Sequence, residues 1–270
     1  MIWFENHLPR APNMSAFDEV REQINWAETR INVARIKITQ YIQHDAFRFV
    51  QEVDAQTGEH VRKIVLAKNV PMSIKGYLRN AVVDLKHSFD MSLHAAVGDL
   101  GNSRFDKNFP WADSPQSVRG IINGWQSKDK TKVPQAIIDE IWRQEPYATG
   151  EGYSGGEDLT REVAKMANNK HSIGIGASAQ IQSVSFTNIT VISAKSFKLM
   201  EPWNPKKKEL VLSRHIGLVS YDDPAVTGNV IFERVGRIGP LAAIPTAISF
   251  LERAKLCVEG FEAVVRNGNG

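Results

Sequence analysis

One cysteine in 270 residues leaves Cys257 without a possible partner in its own chain. A lone thiol excludes an internal disulfide and a cysteine-rich zinc site, and it favours a reducing, cytoplasmic setting. Long apolar runs are missing too: none approaches the ~20 residues that a membrane-spanning helix needs, so no membrane partner is expected. The opening MIWFENHLPRAP lacks the charged region and apolar run of a secretory signal, and none is expected. Charge of one sign is scarce, with 33 Lys and Arg against 30 Asp and Glu, a formal net charge of +3. A dedicated duplex-DNA binder carries a stronger, clustered excess, so nucleic acid is permitted by this balance and not demanded by it. Phosphate-loop signatures are also lacking. The glycines of residues 150–156 have no Gly-Lys-Ser/Thr ending. Gly174-Ile175-Gly176 follows a helical pattern rather than a strand, and Lys195 stands near where a dinucleotide site needs an acid. No cofactor is expected.

What is present is strong periodicity in an ordinary globular composition, 42% apolar and 23% charged. Ser15 with Asp18 three residues on makes a capping box. From there Phe17, Val20, Ile24, Ala27, Ile31, Ala34, Ile38 and Tyr41 alternate spacings of three and four. They predict one helix of roughly 27 residues, about 40 Å long. Residues 46–67 switch to strand spacing on either side of Gly58, a hairpin pattern. Beyond Pro71, Leu78, Val82, Leu85, Phe89, Leu93 and Ala96 predict a second long helix over 74–97. Its polar side carries Arg79, Lys86 and Asp90 in one stripe, and Asp84, His87 and His94 in another. Residues 98–115 read as a loop that Phe109-Pro110-Trp111 docks onto the core. Shorter helices are expected over 116–125 and 134–143, joined by the polar Lys128-Asp-Lys-Thr-Lys132 segment.

The second half alternates. Ile173, Ile175, Val184, Phe186, Ile189 and Val191 lead into runs at 210–212, 216–220 and 230–235, with turns at Asn204-Pro205 and Asp222-Asp223-Pro224. Three or four antiparallel strands fit. Gly239-Pro240 then opens a closing helix, whose stripe is Ile244, Ala247, Leu251, Ala254, Val258, Phe261 and Val265. The matching terminal stripes predict that the first and last helices pack together. The whole reads as one interwoven α+β domain over 1–270: a helical part at 15–171 with the hairpin at 46–67, a sheet at 173–236 and a closing helix at 240–266. The alternative is that one terminal stripe serves a homo-oligomer interface.

Residues 144–175 link the helical half to the alternating half and hold the chemistry most open to a functional reading. The segment runs through Tyr147 and a glycine-rich loop into a short helix ending Asn168-Asn169-Lys170-His171. A histidine at a helix C-terminus gains from the dipole there and can act as acid or base near neutral pH. The same four residues also serve as a plain helix cap. Asp84 and His87 could supply two metal ligands, but His94 lies about 10.5 Å along the axis from His87, too far to share an ion, and no metal site is expected. Lys206–Lys208 read as a solvated turn, which with Lys128, Lys130 and Lys132 would hold a polyanion only if folding brought the two together.

Leu78-Arg79-Asn80-Ala81-Val82-Val83-Asp84, Phe109-Pro110, Gln144–Tyr147 and Asn168–His171 together resemble a group of uncharacterised bacterial proteins. In that group Leu-Arg-x-Ala-Leu-Asp-His, Phe-Pro, Gln-Pro-Tyr and Asp-Lys-His-Arg occur in the same order. The likeness covers residues 70–175; Glu145 interrupts Gln-Pro-Tyr here and Ser172 replaces the final arginine. It implies no activity. The arginine helix is also similar to that of the HEPN ribonucleases, where Arg, often followed by Asn, precedes a histidine on the same helix. That resemblance implies Arg79 on the scissile phosphate, with His87 or His171 moving the proton of the attacking 2′-hydroxyl. Tyr147, Asn168, Asn169 and Lys170 are the candidate binding residues. Two functions are therefore expected: a binding or assembly module whose partner is RNA or another protein, or an RNA-cleaving protein of the toxin or phage-defence kind.

Overall fold

The computed structural model describes residues 15–168, 176–186, 188–222, 224–233 and 240–268. The fold is α+β. Helices α1 (Ala16–His44), α2 (Met72–Asp99), α3 (Pro115–Gln126), α4 (Gln135–Arg143), α5 (Asp158–Ala167) and α6 (Ala243–Gly268) are joined by strands β1 (Phe47–Val53), β2 (His60–Leu66), β3 (Ala177–Ser185), β4 (Ile189–Leu199), β5 (Glu209–Tyr221), β6 (Ala225–Phe232) and β7 (Leu241–Ala242). Two compact units emerge. The first takes its described residues from Met1–Arg30, Arg79–His171 and Ala247–Gly270, the second from Ile31–Leu78 and Ser172–Thr246.

The first unit is helical. The α1 capping box forms in both directions: Asp18 N–H donates to Ser15 Oγ at 3.2 Å, and Ser15 N–H donates to Asp18 Oδ2 at 2.9 Å. Arg21 meets Glu262 at 2.5 Å and Lys255 meets Glu28 at 3.2 Å. Position rises in one helix as it falls in the other, so these parts of α1 and α6 run antiparallel. Such half-exposed pairs each add little to stability and mainly fix register. The apolar stripes carry the energy. Phe17, Val20, Ile24 and Ala27 on α1, and Leu251, Ala254, Val258 and Phe261 on α6, are all buried. Ile31, Ala34, Ile38 and Tyr41, farther along α1, are buried as well. Neither terminal stripe is left free for a second copy.

Helix α2 contributes Phe89, fully buried, whose ring lies 5.3 Å from Phe109 and 4.9 Å from Trp111. Phe109 in turn meets Phe261 edge-on at 6.3 Å. The Phe-Pro-Trp segment thus docks its loop as the sequence predicts, and the buried Asp90 carboxylate secures it by accepting the Phe109 N–H at 2.9 Å. Ser114 caps α3, accepting the Ser117 N–H at 3.3 Å, with Pro115 in the first turn.

The second unit holds both sheets. One has the order β1-β2-β5-β4 and the other β3-β6-β7, with every strand pair antiparallel. The N-terminal hairpin forms as expected, turning at Gly58, whose φ is +71°. Of the later strands, β3, β6 and β7 make a three-stranded antiparallel sheet of their own, as the sequence predicts, whereas β4 and β5 join the hairpin. β5 pairs with β2 on one side and β4 on the other, while β3 and β6 pair elsewhere. The runs at 210–212 and 216–220 are halves of one strand. Ile64, Leu210 and Leu212 form the buried centre, and Phe47, Ile181, Val184 and Val226 pack onto it from both sheets.

His60 and His215 are cross-strand partners on β2 and β5, with rings stacked at 5.3 Å. Burial, with a smaller contribution from the charge of His60, holds His215 below its ordinary value of 6.5. The unfolded chain therefore takes up this proton more readily than the folded one. The resulting stability is complete above the unfolded value and is lost as pH falls toward the folded value. Urea midpoints should fall between about pH 7 and pH 5, and His215→Gln should flatten that part of the profile. In the helical unit, Phe89→Ala should lower the unfolding free energy by about 3–5 kcal/mol in urea titrations, because the rings of Phe109 and Trp111 lose their contact with it.

Candidate functional site

Helix α2 places the first candidates. Arg79 is half-buried and its side chain makes no hydrogen bond or ion pair among the described residues. His87, eight positions on, lies about 12 Å farther along the axis and about 80° round it. The ring of His87 is exposed, and the charge it interacts with is that of Asp84. Asp84 is already engaged: it accepts from Gln23 Nε2 at 2.9 Å and pairs with Arg30. Burial raises its pKa, and Arg30, Gln23 and His87 offset only part of that rise. The helix therefore displays Arg79 and His87 as separate groups, with Asp84 serving the packing of α1 on α2.

Asn169, Lys170 and His171 lie outside the described residues, as do Ile173, Gly174 and Ile175. Asn168 is described: it is the C-cap of α5, its N–H donating to Ala164 O at 3.0 Å, with an exposed side chain. Among the described residues no group of three or more His, Cys, Asp or Glu could hold a metal ion.

Tyr147 is buried, in a loop built largely from its own hydrogen bonds. Glu145 turns the chain at φ +46°, an uncommon conformation for a side-chain-bearing residue, and its carbonyl accepts the Tyr147 N–H at 2.7 Å. Tyr147 O accepts the Glu157 N–H at 2.8 Å, and Ala112 N–H donates to Pro146 O at 3.1 Å. The Asp158 carboxylate takes the Thr149 N–H at 2.9 Å and the Thr149 hydroxyl at 2.7 Å. Gly156, at φ +100°, passes so close to Ala148 that a Cβ would sit 2.6 Å from its carbonyl oxygen. The Tyr147 ring packs edge-on against Trp142 and Tyr153. Burial, then the charges of Glu145 and Tyr153, raises the pKa of its hydroxyl. A phenol so held stays protonated and serves as a packing group, not a base.

The next helix continues the pattern. Asp113 receives Arg161 at 3.0 Å and Lys165 at 3.4 Å, and Lys165 also meets Glu162 at 3.1 Å. Burial opposes ionisation of Asp113, but the two cations together hold its pKa below the usual carboxylate value. Glu157, the N-cap of α5, pairs with Arg253 of α6. The described part of residues 144–168 is thus a brace across the helical unit.

Comparison with protein-family models, with curated proteins and with solved structures gives no match.

Sequence reasoning missed one surface. Residues 190–196 of β4 are exposed without interruption, on both faces of the ribbon that β4 makes with β5. Val191, Ile192 and Leu218 are 49%, 66% and 66% exposed. Strand spacing shows that residues alternate between faces but not whether either face is covered. The adjacent pair Val191-Ile192 was the available signal, since alternation over one covered face does not place two large apolar residues in succession. Gly217, at φ +117°, lies opposite Ala194, and a Cβ there would overlap the Ser193 carbonyl. Of the basic residues singled out in the sequence, Lys130 and Lys132 line an open cleft of about 560 Å³ with Arg104, whereas Lys206–Lys208 form a turn in the second unit.

Cys257 is fully buried in the helical unit, and burial, with the charges of Glu140 and Asp90, pushes its thiol well above the ordinary value. It should react with Ellman's reagent only at the rate of unfolding, and promptly in denaturing guanidinium.

Proposed function

We propose that this chain is a binding and assembly module that associates with a second copy of itself through the β4–β5 ribbon. The observation that carries the reading is the doubly uncovered ribbon bearing Val191, Ile192 and Leu218. A two-stranded ribbon with neither face packed is marginal in water. Clustered large apolar side chains at a surface mark interaction sites more often than ornament. A second copy brings the same patch, so a twofold contact buries the same residues on both ribbons. The stripes of α1 and α6 do not compete for this role, being buried within the chain.

The ribonuclease alternative asks Arg79 and a histidine to meet on one phosphate. His87 is displaced along and around the helix, and its neighbour Asp84 is occupied by Arg30 and Gln23. Nothing in the described residues favours it over the assembly reading.

Light scattering behind size exclusion, run over a concentration series, should show a dimer that weakens on dilution. The double substitution Ile192→Lys and Leu218→Lys should be monomeric at every concentration, with unchanged far-UV circular dichroism. A wild type that stays monomeric at the highest concentration sinks the assembly reading. RNA loss in the presence of wild type, abolished by Arg79→Ala or His87→Ala, would replace it with the enzymatic one.

A further inference from the structure

A cleft of about 660 Å³ opens in the second unit where the end of β2, the first turn of α2 and the turn before β5 converge. That volume lies within the ~300–1,000 Å³ of small-molecule sites. One side is apolar. Trp203 packs part of its ring against the Ile64, Leu210 and Leu212 cluster and lines the cleft beside Val70. Among the described residues the opposing polar groups are few. Lys75, one turn into α2, makes no side-chain hydrogen bond or ion pair among the described residues.

Lys208 is held in place. Its backbone sits at φ +54°, and its carbonyl accepts the Leu66 N–H at 2.9 Å. Its ammonium donates to Asn69 Oδ1 at 3.2 Å, and no carboxylate pairs with it among the described residues. Asn204 Oδ1 fixes the turn ahead of it by accepting the N–H groups of Lys206 and Lys207, each at 3.1 Å. A side-chain-bearing residue in the left-handed region is strained, and such positions cluster at ligand clamps. Glu233 supplies the one carboxylate among the described residues of the lining.

We infer that this cleft binds a free mononucleotide. The two lysines, neither paired with an acid among the described residues, suit a phosphate. The Trp203 ring offers the aromatic surface on which a base rests. Glu233 accepts from an exocyclic amine, which favours adenine, guanine or cytosine over uracil. The site is independent of the β4–β5 ribbon and of the assembly reading.

Isothermal titration of the full chain with AMP, GMP, CMP and UMP tests the inference, with adenosine and inorganic phosphate as fragments. An amino-bearing mononucleotide should bind, with UMP weaker and each fragment at least about tenfold weaker, since ring and anion each contribute. Lys75→Ala and Lys208→Ala should each cost about tenfold, and Trp203→Leu a similar amount. Lys132→Ala, in the other basic cleft, should change nothing. The Lys75 side chain holds no hydrogen bond or ion pair among the described residues, so Lys75→Ala keeps the test decisive if Trp203→Leu loosens the fold. No binding at millimolar mononucleotide, or wild-type affinity in both lysine variants, overturns the assignment. Phosphate alone binding as tightly as AMP overturns the nucleotide class, and tighter binding of a 5′-phosphorylated dinucleotide overturns the free ligand.

Discussion

The helical unit depends on closing one seam. Two long amphipathic segments from distant parts of the chain lie antiparallel there, each with its stripe buried. The Arg21–Glu262 and Glu28–Lys255 pairs show the register in which they do so. Isolated helices are marginal in water, and tertiary burial of the apolar face supplies most of their stability. Val20 and Ala27 on α1, with Ala247 and Phe250 on α6, are fully buried, and that burial is what holds each helix in place. α2 enters the same unit with Phe89, and the Phe109–Trp111 loop and the 144–168 brace pack around it.

The long helices were legible because their information is local. A three-four alternation sustained over seven or eight apolar residues fits a helix with one buried face and little else, and the Ser15–Asp18 box and the Phe89 stripe lie where the pattern puts them. The hairpin was legible for the same reason, its turn and both runs lying within residues 46–67. Sheet membership was not. Nothing in residues 209–221 records that one edge will meet β2, far back in the chain, while the other meets β4. Pairing is set by which edges are free after folding, and a single-strand pattern carries no label for that.

The candidate chemistry divides along a similar line. Arg79, Asp84 and His87 do share one helix, but periodicity fixes only their angles, and Asp84 faces Gln23 and Arg30 of another helix. Tyr147 stands out in the sequence as polar and aromatic, yet its ring is packing material. The cleft beside Trp203 draws on residues from Leu66 to Glu233, each ordinary in its own stretch. Lys208 and Pro205 lie in a turn that the sequence singles out. The left-handed backbone of Lys208 is invisible in a run of three lysines.

The bulges of β4 have a bearing on the form of any assembly. Ile192 and Lys195 are both extra residues in the β4–β5 ladder, skipped between Val191 and Ser193 and between Ala194 and Ser196. A regular edge strand offers evenly spaced donors and acceptors that another strand can copy, and that copy can be copied again. Two interruptions within a few residues twist the edge and break the repeat. The ribbon can lend its faces to a partner while refusing to be extended along its edge. An edge interrupted in this way is a poor template for a further strand, so a long uncovered strand can exist at the surface without edge-to-edge growth.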